Sequence, residues 1–281
     1  MTLFTDFFRT IKGSDESPWD SSEAIRSELF NVERLEQHAE IIAATHRVSK
    51  FEALTGRRRI SHRLDENAQA LLSAYETICE SVAGGRPITP AAEWLIDNFH
   101  VVEDQIRQIQ QDLPPGYYKE LPKLAEGPLA GYPRVLGITW AFVAHTDSLF
   151  DPEVLERFVL AYQKVEPLAI GELWAIAITL RIVLIENLRR LGDRIVKARM
   201  AREKADQLAD GLLAVEDEKP EIIHNLLRNH EGGAFSKTFA VQLDQRLRDH
   251  GNVAATALQW LERQLAVQSS SLDQEIGRAH V

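Results

Sequence analysis

Three charged side chains, Glu172, Arg181 and Glu186, lie in or beside the most apolar stretch of the chain, residues 167–191. Ionised groups in an apolar environment need partners, because an unpaired buried charge is strongly unfavourable. Two carboxylates and a guanidinium could form an acid/base pair with an anion clamp. The alternative is a buried polar network that joins this helix to its neighbours. Arg181 and Glu186 are five residues apart and not on one helix face, so each is expected to find its partner elsewhere.

A second group of candidate residues is aromatic and surrounds a loop over residues 113–133. The range 112–133 holds five prolines and three glycines, a density that forbids a long helix and favours an ordered loop. Its apolar content is too high for disorder, which predicts a packed loop. Aromatic rings can stack on the faces of sugar rings, and the candidates for this are Tyr117, Tyr118, Tyr132 and Trp140, with Trp174 nearby in sequence. The alternative is that these rings cement the loop between helices.

Other signatures of chemistry are missing from the sequence. His145-Thr146-Asp147-Ser148 has the letters of a catalytic triad, but no G-x-S-x-G motif accompanies it, and residues 146–151 are better interpreted as a turn. The nine histidines are scattered without an H-E-x-x-H pattern, and one cysteine, Cys79, cannot form a thiolate metal cluster or an internal disulfide. No glycine-rich phosphate or dinucleotide loop is present. We therefore predict no catalytic residue, no metal site and no cofactor.

The elements that would position these residues are all helical. Apolar residues at spacings of three and four, together with capping residues and proline or glycine breaks, predict helices over residues 22–50, 64–82, 90–113, 134–145, 152–165, 170–213, 221–230, 234–249 and 252–268. The segments after Pro133 and Pro167 are apolar on all sides, which predicts two buried central helices. No segment shows a strand pattern of any length. The predicted fold is all-α, a multi-helix bundle.

Composition shifts predict four regions along the chain. Residues 1–21 form a flexible arm with a small aromatic cluster, residues 22–191 the main helical bundle, residues 192–268 a long-helix extension with a small C-terminal helical unit, and residues 269–281 a polar tail. A single helix over residues 170–213 would be about 65 Å long at 1.5 Å per residue. Such a helix would connect the main bundle to the smaller unit.

Composition and charge exclude several classes of protein. The chain has 281 residues, of which 44% are hydrophobic and 26% charged, with a net charge of −10, as in a soluble globular protein with an ample core. The acidic balance argues against nucleic-acid binding. The basic group Arg57–Arg59, with His62 and Arg63, could bind phosphate or an anionic lipid surface, or be a solvated loop. The apolar run is too short and too charged to span a membrane, and no signal peptide is recognisable, which predicts a cytosolic location.

Three long segments together carry a resemblance to a known family. They are RPITPAAEWLIDNFHVVEDQI (86–106), LPPGYYKELPKLAEGPLAGYPRVLGITWAFVAHTDS (113–148) and EPLAIGELWAIAITLRIVLIENLRRL (166–191). In order and spacing these segments resemble the N-terminal region of the cyclic β-1,2-glucan synthases, very large proteins of the bacterial inner membrane. The resemblance extends more loosely from about Gln37, through FAVQLDQRLRD (239–249), to the tail. It covers most of this chain but only a small fraction of such a synthase.

The resemblance implies a parent protein that polymerises glucose from UDP-glucose into β-1,2-glucan, on the cytoplasmic side of the inner membrane. The chain lacks a D-x-D motif, and Gln245-Arg246-Leu247-Arg248 lacks the tryptophan of a Q-x-x-R-W motif, so no catalytic residue is carried over. We therefore predict a non-catalytic scaffold or regulatory module whose partner is the remainder of the synthase. The alternatives are a glucan-binding module that uses the loop 113–133, or part of a nucleotide-sugar site formed by Arg181 or Arg57–Arg59. An isolated module can also expose an apolar patch and form a homodimer.

Overall fold

The computed structural model describes residue 19 and residues 21–49, 60–112, 116–215, 220–228, 235–248 and 251–267. Within these ranges the chain is predominantly helical, which confirms the predicted all-α fold. The helices are α1 (Val32–Thr45), α2 (Ile60–Ala83), α3 (Pro90–Asp112), α4 (Tyr117–Glu120), α5 (Arg134–Thr146), α6 (Pro152–Val165), α7 (Ile170–Leu213), α8 (Pro220–Arg228), α9 (Lys237–Leu247) and α10 (Gly251–Val267). Among the described residues, no helix is both long and apolar enough to cross a lipid bilayer.

The first helix starts ten residues later than its periodicity predicts. The Asn31 side chain accepts a hydrogen bond from the Arg34 N–H at 2.9 Å and so caps α1 at its N-terminus. Residues 21–31 have no regular secondary structure. Their backbone groups bond to other helices, as described below, and these bonds replace the i to i+4 bonds of a helix.

Two very short strands also escaped the sequence analysis. Strand β1 (Val48–Ser49) pairs antiparallel with β2 (Lys123–Leu124), with Val48 opposite Leu124 and Ser49 opposite Lys123. A strand of two residues is too short to show an alternating pattern. The pair fixes the loop before α5 to the end of α1.

The chain divides into two compact units, Met1–Asp193 and Arg194–Val281. In the first unit α1 packs on α5 and α6, α2 packs on α3, and α5 also contacts β2. In the second unit one apolar core is formed by residues 205–212 of α7 together with α8, α9 and α10, including Phe239, Trp260 and Leu261. The domain limits predicted at residues 21, 191 and 268 stay predictions.

The two central helices of the first unit differ in how completely they are covered. In α5 every residue from Arg134 to His145 except Trp140 is buried, as predicted. In α7, Ala175, Ile182 and Val183 are completely buried, but Trp174 is 75% exposed and Ile170 is 70% exposed. The prediction of burial on all sides is therefore wrong for one face of α7.

Candidate functional site

The first cluster of buried charges joins the start of α5 to the start of α7. Arg134 and Glu172 are both almost fully buried, and the guanidinium donates from Nε to Oε1 at 2.9 Å and from Nη2 to Oε2 at 2.6 Å. Arg134 also donates to Glu166 Oε1 and to the Pro167 carbonyl, each at 3.2 Å. Burial disfavours the charged guanidinium, but the bonds to Glu172 outweigh burial and raise the pKa of Arg134. Since Glu172 Oε2 also accepts from the Ala169 N–H at 3.0 Å, the carboxylate anchors the chain that enters α7.

A tyrosine and a histidine extend this cluster into the core. Tyr162 of α6 is completely buried, and its hydroxyl is hydrogen-bonded to Nδ1 of His46 at 3.0 Å. Burial and the positive charge of Arg134 lower the pKa of His46 to about 4, and burial raises the pKa of Tyr162. Both side chains are therefore neutral at neutral pH. Gly137 of α5 leaves room for the imidazole, because an added Cβ would lie 3.4 Å from His46 Cε1. His46 and Tyr162 therefore pack together where the end of α1 meets α5 and α6.

The second cluster of buried charges surrounds Glu186, which is completely buried in α7. Its Oε2 accepts from Arg63 Nε at 2.9 Å, and its Oε1 accepts from Arg190 Nε at 2.8 Å and Arg189 Nη2 at 2.7 Å. Burial raises a carboxyl pKa, but the three guanidinium groups outweigh it and lower the pKa of Glu186. Two further carboxylates pair with these arginines: Glu66 with Arg63 at 3.2 Å, and Asp193 with Arg189 at 2.6 Å. Glu186 thus holds α2 against α7.

The same cluster, together with Asn187 of α7, binds the irregular segment of residues 21–31, which we call the strap. Arg190 Nη1 donates to the Glu23 carbonyl at 2.8 Å. The Asn187 amide oxygen accepts from the Ile25 N–H at 2.6 Å. Polar side chains of α7 therefore recognise the strap through its backbone.

On its other side the strap bonds to the C-terminal end of α5. The N–H groups of Ser27 and Phe30 donate to the carbonyls of Ala144 and His145 at 2.8 and 3.1 Å. Nδ1 of His145 lies 2.7 Å from the Glu28 carbonyl and donates to it. The backbone of the strap is thus held from two helices.

Two histidines and a phenylalanine pack together where the strap meets α1 and α5. The rings of Phe30 and His145 are stacked with centroids 4.0 Å apart, and the rings of His38 and His145 are 4.5 Å apart. Burial, followed by repulsion from His145, lowers the pKa of His38 to about 4, and burial lowers the pKa of His145. The pair is consequently neutral at neutral pH, and protonation of either ring works against the native structure.

The segment His145-Thr146-Asp147-Ser148 forms the predicted turn. Asp147 ends α5 with a left-handed backbone (φ 52°), and Ser148 follows with φ 64°. Ser148 Oγ accepts from Asn187 Nδ2 at 2.7 Å, which ties the turn to α7. These residues therefore form a turn that ends α5 and is tied to α7.

The aromatic candidates around the loop fall into different environments. The Tyr117 side chain lies outside the described part of the chain, and Tyr118 is half-buried. Tyr132 is buried, and both Tyr132 and Trp140 contact the ring of Trp19, with centroids 5.4 and 5.3 Å apart. Within residues 116–133 the loop is packed, as predicted. The rings of Tyr132 and Trp140 are engaged inside the protein, and sugar binding by this group stays a prediction.

Other candidates lie apart from the two buried clusters. Arg181 is 29% exposed and pairs with Asp112 at 3.2 Å, so it is not part of the buried network in which the sequence analysis placed it. Arg57–Arg59 lie outside the described residues, whereas Arg63 belongs to the Glu186 cluster.

Two further features bear on where a ligand could bind among the described residues. No group of three or more metal-ligating side chains occurs among the described residues. In the second unit, an open groove of about 260 Å³ is lined by Arg202, Lys237, Thr238, Val241, Gln242 and Gln245. Its volume is below that of typical sites for small molecules.

Several structurally important residues were missed by the sequence analysis, namely Arg134, Asn187, Arg189 and Arg190. Arg63 was considered only as part of the basic group, and not as a partner of Glu186. A signal for two of them exists, since Arg189 and Arg190 follow Glu186 by three and four residues, the spacing of pairs on one helix face. Arg134 stands at the first position of a helix that is otherwise apolar. Only a tertiary partner explains a charge there.

Comparison with known proteins gives one clear relationship. No model of a protein family matches this chain. The chain is 36% identical over 259 residues to a protein of Rhizobium meliloti (strain 1021), the cyclic beta-(1,2)-glucan synthase NdvB. The match covers 92% of this chain but 9% of that synthase, so the chain spans less than a tenth of its relative's length. The predicted resemblance to the cyclic β-1,2-glucan synthases is confirmed.

Proposed function

Because this chain is a relative of the cyclic β-(1,2)-glucan synthases, we propose that it is a non-catalytic helical module that scaffolds or regulates a glucosyltransferase. The observation that carries the proposal is that both buried carboxylates are paired with arginines. Glu172 and Glu186, the two carboxylates in the apolar helix, are at most 1% exposed. Each accepts hydrogen bonds from arginines that also bond to backbone carbonyls.

This arrangement favours a structural role over acid/base chemistry. A general acid or base must come within hydrogen-bond reach of the substrate. The oxygens of Glu172 and Glu186 are instead occupied by guanidinium groups, and removing one partner would leave an unpaired buried charge. The clusters are therefore suited to fixing α2, α5, α7 and the strap in one arrangement.

The setting of the module follows from the same relationship. In this proposal the parent protein makes β-1,2-glucan from UDP-glucose at the cytoplasmic side of the inner membrane, and the partner of the module is the remainder of that protein. The module contributes no residue to glucose transfer. It supports the domains that do.

A binding experiment tests the non-catalytic assignment. Isothermal titration of the purified chain with β-1,2-linked glucose oligosaccharides, and separately with UDP-glucose, is expected to give no heat of binding. Heat with the oligosaccharide that disappears in the variant Tyr117→Ala/Tyr118→Ala, but persists in Trp94→Ala, would replace this proposal by the glucan-binding alternative. Heat with UDP-glucose would replace it by a nucleotide-sugar site.

A chimera supplies the positive test. The matching segment of the Rhizobium meliloti synthase is replaced by this chain, and cyclic glucan is measured in cells together with the amount of synthase. Deletion of the segment is expected to abolish glucan production, and this chain is expected to restore it. Glucan production that survives the deletion would refute a scaffold role.

A further inference from the structure

The two halves of the strap are held by chemically different groups. In the first half, the Glu23 carbonyl and the Ile25 N–H bond to a guanidinium and an amide side chain of α7. In the second half, the N–H groups of Ser27 and Phe30 bond to backbone carbonyls at the end of α5. The guanidinium and the amide keep the same charge from neutral to mildly acidic pH. The second half lies against two histidine rings, whose charge changes in this range.

The imidazoles of His38 on α1 and His145 on α5 form the seat of the second half. Nδ1 of His145 donates to the Glu28 carbonyl at 2.7 Å, and the Phe30 ring stacks on the same imidazole with centroids 4.0 Å apart. The Phe30 ring also meets the His38 ring edge-on at 5.4 Å, so one side chain of the strap packs on both histidines. The two imidazoles lie 4.5 Å apart. A charge on His38 needs water, and the Phe30 ring occupies one side from which water could approach.

The charged groups around this seat oppose a positive charge on His38. Arg34 of α1 lies over the Phe30 ring at 4.4 Å, and the Glu28 carboxylate already forms two bonds with Arg34 at 2.6 and 3.0 Å. Burial and the neighbouring positive charges lower the pKa of His38 to about 4, and burial also lowers the pKa of His145. Other charged or titratable groups on the strap, α1, α5 and α6 are Arg26 with Asp147, Arg157 with Glu36 and Glu33, Lys164 with Glu40, and His46, which bonds to Tyr162.

Acid therefore favours any state of the chain in which water reaches His38. Since the pKa is about 4 under the strap and 6.5 in water, the ratio of open to closed forms should rise roughly 30-fold between pH 7.5 and pH 5. Lifting residues 27–30 breaks two backbone hydrogen bonds and the bond from His145 to Glu28, far fewer contacts than global unfolding breaks. We propose that the second half of the strap is a pH-sensitive latch: acidification releases residues 27–30 from α1 and α5, while residues 23–25 stay bound to α7.

Hydrogen exchange of the purified chain, followed by NMR, tests the latch one amide at a time. Between pH 7.5 and pH 5 the protection factors of the Ser27 and Phe30 amides are expected to fall roughly 10- to 30-fold, while that of the Ile25 amide changes less than about threefold. His38→Phe keeps an aromatic ring without a titrating group, and it should make the fall at least about threefold smaller. His100→Phe, at an exposed position of α3, is the matched control and should leave the fall unchanged.

Three results of this experiment would overturn the latch. Ser27 and Phe30 amides that stay protected at pH 5 would show that the strap does not open. An equal loss of protection at Ile25 would show that the strap, or the whole unit, opens together. A fall that is the same in His38→Phe would show that another group causes it. The exchange pattern of the unsubstituted chain needs no variant, so it tests the proposal even if His38→Phe fails to fold.

The reverse effect, of the strap on the histidine, is measured by NMR titration of the His38 imidazole. Phe30→Ala removes the ring that packs on His38, so the pKa of His38 should rise from about 4 to above about 5. Leu29→Ala is the matched control, because it shortens a neighbouring side chain that is 53% exposed, and it should leave this pKa unchanged. A pKa that stays near 4 in Phe30→Ala would contradict the coupling between strap and histidine. Circular dichroism verifies that each variant is folded, and none of these readouts depends on whether the parent makes glucan.

Discussion

Replacement of Glu186 by glutamine tests whether the buried charge cluster holds the first unit together. The substitution keeps the size of the side chain but removes the charge that three arginines share. Removing one partner from a buried ion pair costs about 3–5 kcal/mol. Since glutamine keeps one carbonyl acceptor, we expect the lower end, about 3 kcal/mol, from a domain whose whole stability is on the order of 5–15 kcal/mol.

The assay is urea unfolding followed by tryptophan fluorescence in a Trp260→Phe background. Trp260 belongs to the second unit, whereas the other four tryptophans precede residue 194, so the remaining signal reports the first unit. Glu28→Gln is the matched control. Its carboxylate pairs with Arg34 at 2.6 Å but is 56% exposed, so the same chemical change should cost at most about 1 kcal/mol.

A double-mutant cycle separates charge pairing from general damage. Arg63→Met alone should also destabilise the first unit, and the combination with Glu186→Gln should cost less than the sum by about 1–3 kcal/mol. The amide of Ile25 should exchange faster in both single variants, because the strap is bound by the same cluster. Loss of less than about 1 kcal/mol in Glu186→Gln, or strict additivity in the cycle, would refute the structural role of this cluster.

Three further outcomes can be measured by the same unfolding assay. The pKa of His38 is about 4 in the folded chain against 6.5 when unfolded, so His38 should lower stability as pH drops from 6.5 towards 4, by about 1–2 kcal/mol at pH 5. His46 and His145 act in the same direction, so His38→Phe should reduce this slope without removing it. Gly137→Ala should lower the free energy of unfolding by about 1–3 kcal/mol, since its Cβ would lie 3.0 Å from Leu124 Cδ1. Gly192→Ala is its control: the nearest neighbour of the added Cβ would be 3.6 Å away, so the free energy of unfolding should stay the same or rise by up to about 1 kcal/mol. Asp151→Ala should cost about 1 kcal/mol, because its side chain caps α6.

Most of the fold follows from local signals along the chain. Asp151-Pro152 and Thr89-Pro90 mark helix starts that the structure reproduces, and the apolar run after Pro133 is the buried helix α5. The strap was misread as a helix because its apolar residues have helical spacing. Its hydrogen-bond partners lie more than a hundred residues away, and no local pattern carries that information.

The candidate sites were harder to predict because burial depends on tertiary contacts. Glu172 and Glu186 are indeed buried, but in separate clusters, and Arg181, a few residues from both, belongs to neither. A helix that is apolar on all sides predicts complete burial only if other helices cover every face. In the described part of the first unit Trp174 is 75% exposed, which no periodicity of α7 itself can reveal.

The strap is anchored by the side chains of Ile25, Phe30 and Asn31, and its remaining positions are bound mainly through backbone groups. Carbonyl and amide groups are common to every residue type except for the missing N–H of proline. Most exchanges at Ser22, Glu23 or Ser27 should therefore pass unnoticed, whereas proline at Ile25, Ser27 or Phe30 would delete a donor that α5 or α7 requires. A stretch of this kind can diverge in composition across related chains while keeping its course through the molecule.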